Sequence, residues 1–154
     1  MSKIYLEILD KQRQTIAKKL NQVVSGGYLS GGTALALQIG HRTSLDFDFF
    51  VKKPLGRGLL KKCREIFGDK VKVIAQTGDQ VTIITPENIK INIIYYWYPL
   101  ISPLVELCWI NLASVSDIAA DKAAAIGRRA AWRDYVDIFL SLNGSFFLLR
   151  ELFF

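Results

Sequence analysis

The sequence has little cysteine and little histidine. Its 154 residues include two cysteines, Cys63 and Cys108, and one histidine, His41. The two cysteines stand far apart, with neither metal-binding nor redox spacing, which argues against a disulfide-stabilised scaffold and against a cysteine-based metal site. We therefore expect a protein of the reducing cytoplasm.

Long apolar runs are also absent, although 51% of the residues are hydrophobic and the mean hydropathy is +0.22. The richest stretches, INIIYYWYPLI and LVELCWINLASV, are short or interrupted by Pro99 and Glu106. A membrane-spanning helix needs about 18 uninterrupted apolar residues. The first segment, MSKIYLEILDKQRQTIAKKL, is charged throughout, unlike a secretory leader. We expect one globular domain over residues 1–154, with no membrane partner.

Acidic residues are fewer than basic ones, at 14 against 20, which gives a formal net charge of +6. The sequence pI is near 9.4. This balance favours an anionic partner, although a basic surface can also serve solubility alone. The positive charge is concentrated in one segment, KKPLGRGLLKKCR, between Lys52 and Arg64. If the partner is a nucleic acid, this segment is the expected contact with its backbone.

Apolar periodicity and turn residues predict alternating helices and strands. An amphipathic helix is expected over about residues 3–22, ended by the pair Gly26 and Gly27. The elements predicted after it are a strand YLS, a short helix TALALQI, a strand SLDFDFFV, a helix GRGLLKKCREIF, three strands in KVKVIAQ, QVTIITP and NIKINIIYYW, and helices in SVSDIAADKAAAIGRRAAWRDYVDIFLSL.

This order predicts an α+β fold, with a small mixed sheet and helices packed on it. The sheet-containing core is expected over about residues 23–98, and a helical C-terminal part over about residues 114–154. The C-terminus, GSFFLLRELFF, is strongly apolar. It is expected either to pack on the core as a last helix or to form an interface, so a homodimer is one expectation.

Two aspartates lie in the apolar strand SLDFDFFV. Successive side chains of a strand point to opposite faces, so Asp46 and Asp48 share one face while Leu45, Phe47 and Phe49 are expected to face the core. Two neighbouring carboxylates repel each other, and a divalent cation such as Mg²⁺ or Mn²⁺ relieves that repulsion. The alternative is an ordinary exposed strand with two solvated carboxylates.

A double glycine precedes this strand by a short helix, in the segment SGGT. Backbone N–H groups at such a turn can approach an anion closely, and the helix dipole favours negative charge there. Gly32 and Thr33 are therefore expected to hold the phosphates of a nucleoside triphosphate, next to a metal on Asp46 and Asp48.

The last third of the sequence places a lysine in an apolar helical stripe. Helical spacing aligns Lys122 with Ile118, Ala125 and Arg129. A lysine there must either extend to solvent or meet an anion. By the same spacing, Arg129 rather than Arg128 faces the side of Lys122. Asp134 and Asp137 follow on the next predicted helix and can pair with Arg133 or with Lys122, or form ordinary surface ion pairs.

The segments YLSGGTALALQIGHRTSLDFDFF and SVSDIAADKAAAIGRRAAWRDYVDIF together resemble the two motifs of the AbiEii/AbiGii toxin group of nucleotidyltransferase-like proteins. That group belongs to the DNA polymerase β-like nucleotidyltransferase superfamily. The resemblance covers about residues 28–142. It implies a polymerase β-like nucleotidyltransferase core, a toxin or phage-defence role and a separately encoded antitoxin.

The resemblance also assigns roles to residues. It implies that Asp46, Asp48, Lys122 and Asp134 are catalytic, with Asp46 and Asp48 as the metal ligands. Lys122 would contact the triphosphate, and Asp134 would orient the lysine or assist proton removal from the acceptor. Phosphate binding would fall to a second set, Gly31, Gly32, Thr33, Arg42 and Arg129. His41, beside Arg42, is not expected to act as a general base; it and Ser44 can equally cap the loop.

The match is incomplete at one position. Polymerase β-like enzymes often use a third carboxylate on a later strand, and the corresponding position here is Asn92. An amide brings no charge, so either one metal suffices or catalysis is lost.

Three hypotheses follow. The first is a metal-dependent enzyme that moves a nucleotide from a triphosphate to an acceptor hydroxyl, with an RNA such as tRNA as the acceptor. The second is a catalytically degenerate module that binds nucleotide, RNA or a protein partner. The third, a metal-dependent nuclease, leaves Lys122 and the glycine turn without a role.

Overall fold

In a computed structural model of the chain, which describes residues 3–129 and 131–143, five α-helices and seven strands follow a 3-10 turn at Leu6–Ile8. The helices are α1 (Lys11–Val23), α2 (Gly31–Ile39), α3 (Leu59–Phe67), α4 (Val115–Ile126) and α5 (Trp132–Asn143). The strands are β1 (Tyr28–Ser30), β2 (Phe47–Val51), β3 (Lys72–Gln76), β4 (Gln80–Ile84), β5 (Lys90–Tyr95), β6 (Val105–Leu107) and β7 (Ile110–Leu112).

The seven strands form one mixed sheet in the order β3-β4-β5-β2-β1-β7-β6. The pairs β2–β5 and β1–β7 are parallel, and the other four are antiparallel. The predicted small mixed sheet with packed helices is therefore confirmed. Its centre is β2, which carries Asp48, and both β1 and β5 lie directly beside it.

Buried and less buried side chains alternate along β2, as the sequence predicts. Phe47 and Phe49 are completely buried, and they join a core that includes Leu29 of β1 and Ile91 and Ile93 of β5. Asp48, between the two phenylalanines, points to the opposite face of the sheet. Burial of the aromatic pair therefore fixes which way this carboxylate points.

The strand is shorter than expected at its start. It begins at Phe47, so Asp46 and Leu45 precede it, and Leu45 is 59% exposed rather than buried. The backbone there is held by other contacts, because Arg13 Nε donates to the Leu45 carbonyl at 3.1 Å. The expectation that Leu45 packs in the core was wrong.

The first helix also begins later than predicted. Asp10 is its N-cap, with a carboxylate that accepts a hydrogen bond from the Arg13 N–H at 2.8 Å. A side-chain oxygen in this position ends the preceding extended segment and starts the helix. Upstream, the Tyr5 N–H donates to the Leu37 carbonyl at 2.8 Å, which ties this segment to α2.

The sequence also gave expectations for the cysteines, for membrane-spanning helices and for the C-terminus. Cys63 is buried, Cys108 is exposed, and both are free thiols. Among the described residues, no helix is long and apolar enough to cross a membrane. The apolar C-terminal segment, residues 144–154, lies outside the described part, so the two expectations for it stay predictions.

Candidate active site

A row of polar side chains crosses the middle of the sheet on the face opposite the core, called the site face below. Backbone register pairs Asp48 of β2 with Ser30 of β1 and with Asn92 of β5, and Asn92 in turn with Thr82 of β4. Thr82 Oγ1 donates to Asn92 Oδ1 at 2.9 Å, and Asn92 Nδ2 donates to Asp48 Oδ1 at 2.7 Å. The threonine thereby fixes the amide so that its N–H₂ faces the carboxylate.

The glycine turn lies directly against the Asp48 carboxylate. Gly31 is the first residue of α2 and has a φ of +66°, in the left-handed region. A Cβ at this position would lie 2.2 Å from Asp48 Oδ2. The adjacent Gly32 has a similar neighbour, because a Cβ there would lie 2.4 Å from Arg42 Nη2. Both glycines therefore make room for charged groups at the start of α2.

The carboxyl group of Asp48 is in an unfavourable environment for a charge. Burial raises its pKa; the hydrogen bond from Asn92 acts in the opposite direction. The negative charge of Asp46 raises the pKa further, while the charges of Lys122 and Lys90 lower it, and the net shift is upward. Asp46 itself is exposed, and its Oδ2 lies 4.0 Å from Lys90 Nζ.

The buried lysine on α4 is held between two carboxylates. Lys122 is 8% exposed, and its Nζ lies 2.9 Å from Asp134 Oδ1 and 2.8 Å from Asp137 Oδ2. Both aspartates are on α5 and are buried. An ammonium group has three N–H donors, so two are directed to protein carboxylates and one remains. The positive charge is also close enough to lower the pKa of Asp48.

Asp137 connects this lysine to the loop after α2. Its Oδ1 lies 2.8 Å from His41 Nε2 and 3.1 Å from Arg42 Nε, and its Oδ2 accepts from Arg42 Nη2 at 2.9 Å. Burial opposes the charged form of this carboxyl group. Hydrogen bonds from Arg42, Lys122 and His41 outweigh that effect and hold the pKa of Asp137 well below its usual range.

Asp134 is shared between two cations. Besides Lys122, it meets Arg129, whose Nε lies 3.2 Å from Asp134 Oδ2 without hydrogen-bond geometry. Three cationic side chains, Lys122, Arg42 and Arg129, thus meet two carboxylates. Of these cations, Arg42 lies beside Gly32 at the glycine turn, where a guanidinium suits an anion such as a phosphate.

These contacts bring together residues of both sequence motifs. Comparison with known proteins agrees with this grouping. A family model described as nucleotidyl transferase AbiEii toxin, Type IV TA system, matches residues 26–153. The chain belongs to this AbiEii family. The family match therefore includes the sheet, the glycine turn, Lys122 and the two aspartates of α5.

Comparison with individual proteins gives three further likenesses. An uncharacterised protein of Aquifex aeolicus (strain VF5), aq_aa25, is 32% identical over 151 residues, covering 92% of this chain and 72% of the relative. The crystal structure of JHP933 from Helicobacter pylori has a TM-score of 0.62 at 22% identity and covers 92% of this chain and 68% of that one. The crystal structure of the Megavirus polyadenylate synthase has a TM-score of 0.61 at 14% identity, covering 92% of this chain and 34% of that one. These likenesses show the nucleotidyltransferase fold.

The donor set of this AbiEii chain fits one magnesium ion. Within residues 3–129 and 131–143, no group of three or more His, Cys, Asp or Glu side chains is arranged to hold a metal. Mg²⁺ is commonly bound by one or two carboxylates together with substrate phosphates and water, which Asp46 and Asp48 match. The raised pKa of Asp48 points the same way, because a cation beside it would stabilise its charged form.

Two predicted phosphate ligands have other contacts. The Thr33 side chain is buried, and its Oγ1 lies 2.8 Å from Ser44 Oγ and contacts the Asp46 carbonyl. The hydroxyl therefore holds the loop before β2, and only the backbone N–H of Thr33 is left for a phosphate. Arg42 binds Asp137 while its side chain keeps 25% exposure. It is thus positioned beside Gly32 and not free in solvent.

Sequence reasoning placed Arg129 near Lys122 for the wrong reason. The expected helix stripe included Arg129, but α4 ends at Ile126 and Arg129 lies in the connection to α5. It reaches the site by bridging to Asp134 across that connection. Asp137, which was not among the site residues implied by the resemblance, makes more polar contacts than Asp134. The R-D-x-x-D spacing of α5 was the available signal, since it places both carboxylates on one helix face.

We expect Gly31→Ala to disrupt the site as well as the fold. An alanine in the left-handed backbone conformation costs about 1–2 kcal/mol of stability, and its Cβ displaces the Asp48 carboxylate. The control is Gly26→Ala, which has a φ of +78° and open space around its Cβ. Both variants should lower the unfolding free energy, whereas only Gly31→Ala should lose metal-dependent nucleotide binding in calorimetry. Equal nucleotide affinity in the two variants would show that the turn does not belong to the site.

Proposed function

We propose that this chain is a metal-dependent nucleotidyltransferase that moves a nucleotide from a nucleoside triphosphate to an acceptor hydroxyl, with the 3′ end of an RNA such as tRNA as the acceptor. The observation that carries this proposal is the convergence of Asp48, Lys122 and the Gly31–Gly32 turn in one place. Membership in the AbiEii family and the nucleotidyltransferase fold support it.

In the proposed reaction, the acceptor hydroxyl oxygen bonds to the α-phosphorus, the bond from that phosphorus to the α–β bridging oxygen breaks, and pyrophosphate leaves. The hydroxyl proton is lost to solvent water. Catalysis of such a step consists mainly of positioning and of stabilising charge on the phosphate oxygens. Mg²⁺ bound by Asp46 and Asp48 would supply Lewis-acid stabilisation of that charge.

The remaining side chains have separate tasks in this proposal. Lys122 directs its third N–H to a phosphate oxygen, and its other two hold it between Asp134 and Asp137. Asp134 is 3% exposed and already bound by two cations, which suits orienting Lys122 rather than accepting a proton. Backbone N–H groups at Gly31 and Gly32 and the guanidinium of Arg42 complete the phosphate site.

The proposal includes a toxin role. A Type IV toxin–antitoxin family supports a separately encoded antitoxin as partner. A cytoplasmic site of action stays a prediction of the sequence. Homodimerisation stays a prediction of the apolar C-terminal sequence.

A labelled-nucleotide experiment tests the activity. The purified chain is incubated with a total tRNA pool, Mg²⁺ and each α-labelled nucleoside triphosphate in turn. Label entering RNA with one triphosphate supports the transferase and identifies its nucleotide. RNA that becomes shorter indicates a nuclease instead. A folded protein that transfers no label with any triphosphate contradicts the proposed enzyme.

The second candidate, a degenerate module that binds nucleotide without turnover, is favoured by Asn92. This amide occupies the place beside Asp48 where a third carboxylate would lie. Metal-dependent binding of a triphosphate without label transfer to any acceptor would establish this alternative.

We expect Asn92→Asp to add a metal-binding position. Titration of the unaltered chain with Mn²⁺, followed by electron paramagnetic resonance, should give one site, and the variant should give two. Without metal, the variant should unfold more easily at pH 7 by about 1–3 kcal/mol, because Asp48 loses its amide donor and gains a like charge. Asn88→Asp, in an exposed turn, controls for added charge. Unchanged stoichiometry in Asn92→Asp would refute this role of the amide.

A further inference from the structure

Aromatic rings form a continuous chain from the interior of the site face to the surface. Successive ring centroids are separated by 5.8, 4.8, 5.2, 5.3 and 5.7 Å, in the order Tyr28, Phe50, Tyr96, Tyr98, Trp97, Tyr95. We call this set the aromatic chain. Tyr28, at one end, is 1% exposed. Trp97 and Tyr98 are 56% and 53% exposed, and Tyr95, at the other end, is partly buried against the core.

The aromatic chain starts next to the proposed catalytic residues. Phe50 lies two residues beyond Asp48 on the same strand and therefore on the same face, roughly 7 Å away along β2. Tyr96 donates its hydroxyl to the carboxylate of Asp121, which directly precedes Lys122 on α4. The rings thus extend from Phe50, beside Asp48, to the exposed pair Trp97 and Tyr98.

Positive charge accompanies these rings. Lys52 Nζ lies 5.6 Å from the ring centroid of Tyr28 and 5.9 Å from that of Tyr96, and it donates to the Tyr98 carbonyl at 2.6 Å. Lys53 follows it and is exposed. Residues 51–64 include six lysines and arginines and no acidic residue. A cationic path beside exposed rings matches a polyanion that carries flat aromatic groups.

We propose that the aromatic chain is a docking surface for the single-stranded 3′ segment of an RNA acceptor. Unpaired bases stack on Trp97 and Tyr98, while Lys52 and Lys53 contact the RNA phosphates. The 3′ end of the RNA then runs along Phe50 toward Asp48. This inference rests on the proposed function, since it describes the acceptor of that same site. Two adjacent exposed rings, Trp97 and Tyr98, favour a strand over the single base of a bound triphosphate, and the charge favours RNA over an apolar protein partner.

The test measures RNA binding by fluorescence anisotropy, with neither triphosphate nor metal present. A 3′-unpaired RNA oligonucleotide is compared with the same RNA annealed to its complement. The double variant Trp97→Ala/Tyr98→Ala should bind the single strand at least about tenfold more weakly, since stacking contributes about 5- to 150-fold per base. The control, Trp132→Ala/Tyr135→Ala, changes another exposed Trp–Tyr pair, on α5, and should leave the affinity unchanged.

Each other outcome decides against the proposal. Equal single-strand affinity in the unaltered and Trp97→Ala/Tyr98→Ala chains would overturn it. In a separate calorimetric titration, loss of triphosphate affinity alone would also overturn it and would assign the rings to the incoming base. Loss of self-association alone in sedimentation would overturn it too and would make the surface a protein interface. Because binding is measured without turnover, the docking surface can be supported even if no nucleotide transfer is found. Transfer of label with unaffected RNA binding would remove the docking surface and leave the transferase.

Discussion

Lys122→Met is expected both to abolish nucleotide transfer and to destabilise the fold. Methionine keeps most of the side-chain length but leaves Asp134 and Asp137 without the ammonium that lies 2.9 and 2.8 Å from them. Removing one partner of a buried ion pair costs about 3–5 kcal/mol of unfolding free energy. Loss of one charge-stabilising donor lowers kcat by about 10²–10³-fold. Chemical denaturation and label transfer measure the two effects.

The stability loss should depend on pH in a defined direction. Asp137 has a lowered pKa in the folded chain, so its contribution is present above the ordinary carboxyl pKa and disappears as the pH falls. Lys122→Met removes part of that contribution. The difference between the variant and the unaltered chain should therefore be largest near neutral pH and shrink as the pH falls below about 4.

Two further variants separate stability from catalysis at this position. Adding Asp134→Asn to Lys122→Met removes a buried charge that has lost its main partner, so part of the stability should return while transfer stays absent. Lys70→Met changes an exposed lysine and should affect neither property. If Lys122→Met transfers label at the normal rate, the lysine is a structural residue and the account of the site is wrong.

Asp48→Asn is expected to eliminate transfer while keeping or raising stability. The amide has the shape of the carboxylate and can still accept the hydrogen bond from Asn92, but it is a poor magnesium ligand. Transfer should fall by about 10³-fold or more, because metal stabilisation of phosphate charge contributes several kcal/mol. Loss of function without loss of the fold is what distinguishes this position from Lys122.

The stability effect follows from the pKa of Asp48. A carboxyl group with a raised folded-state pKa favours the fold when protonated, and this contribution is lost as the pH rises through that pKa. The charged form therefore costs stability at neutral pH, and asparagine avoids that cost. In thermal melts with a chelator, Asp48→Asn should have the higher Tm at pH 7, with the advantage declining toward low pH. A lower Tm at pH 7 would contradict the assigned environment of Asp48.

The sequence predicted the fold best where patterns are long and regular. The strand around Asp48 and the helices of the last third followed from period and propensity, and the mixed sheet followed from their order. Strands β6 and β7 were missed, because each has only three residues and the segment LVELCWINL shows no sustained alternation. The start of α1 was misplaced because one side chain, Asp10, overrides apolar periodicity as an N-cap.

The sequence indicated the residues of the candidate site better than it indicated the contacts between them. A carboxylate flanked by phenylalanines and a lysine in an apolar stripe were visible in the sequence. Asp134 and Asp137 were predicted as possible partners of Lys122, with Arg133 as the alternative. The sequence could not choose between these pairings, because the choice depends on how α5 packs against α4. The hydrogen bond from Asn92 to Asp48 likewise depends on the register of two strands more than 40 residues apart, which local patterns do not encode.

The rate of label transfer to RNA by four chains, assayed together, tests whether Asp48 and Lys122 carry out the chemistry. These are the unaltered chain, Asp48→Asn, Lys122→Met and the control Asp69→Asn, whose aspartate is exposed on the surface. We expect transfer by the unaltered and Asp69→Asn chains, its loss on chelation of the metal, and transfer slower by about 10²-fold or more in the other two. Transfer that survives Asp48→Asn and Lys122→Met in the folded chain would place the chemistry elsewhere and contradict the account.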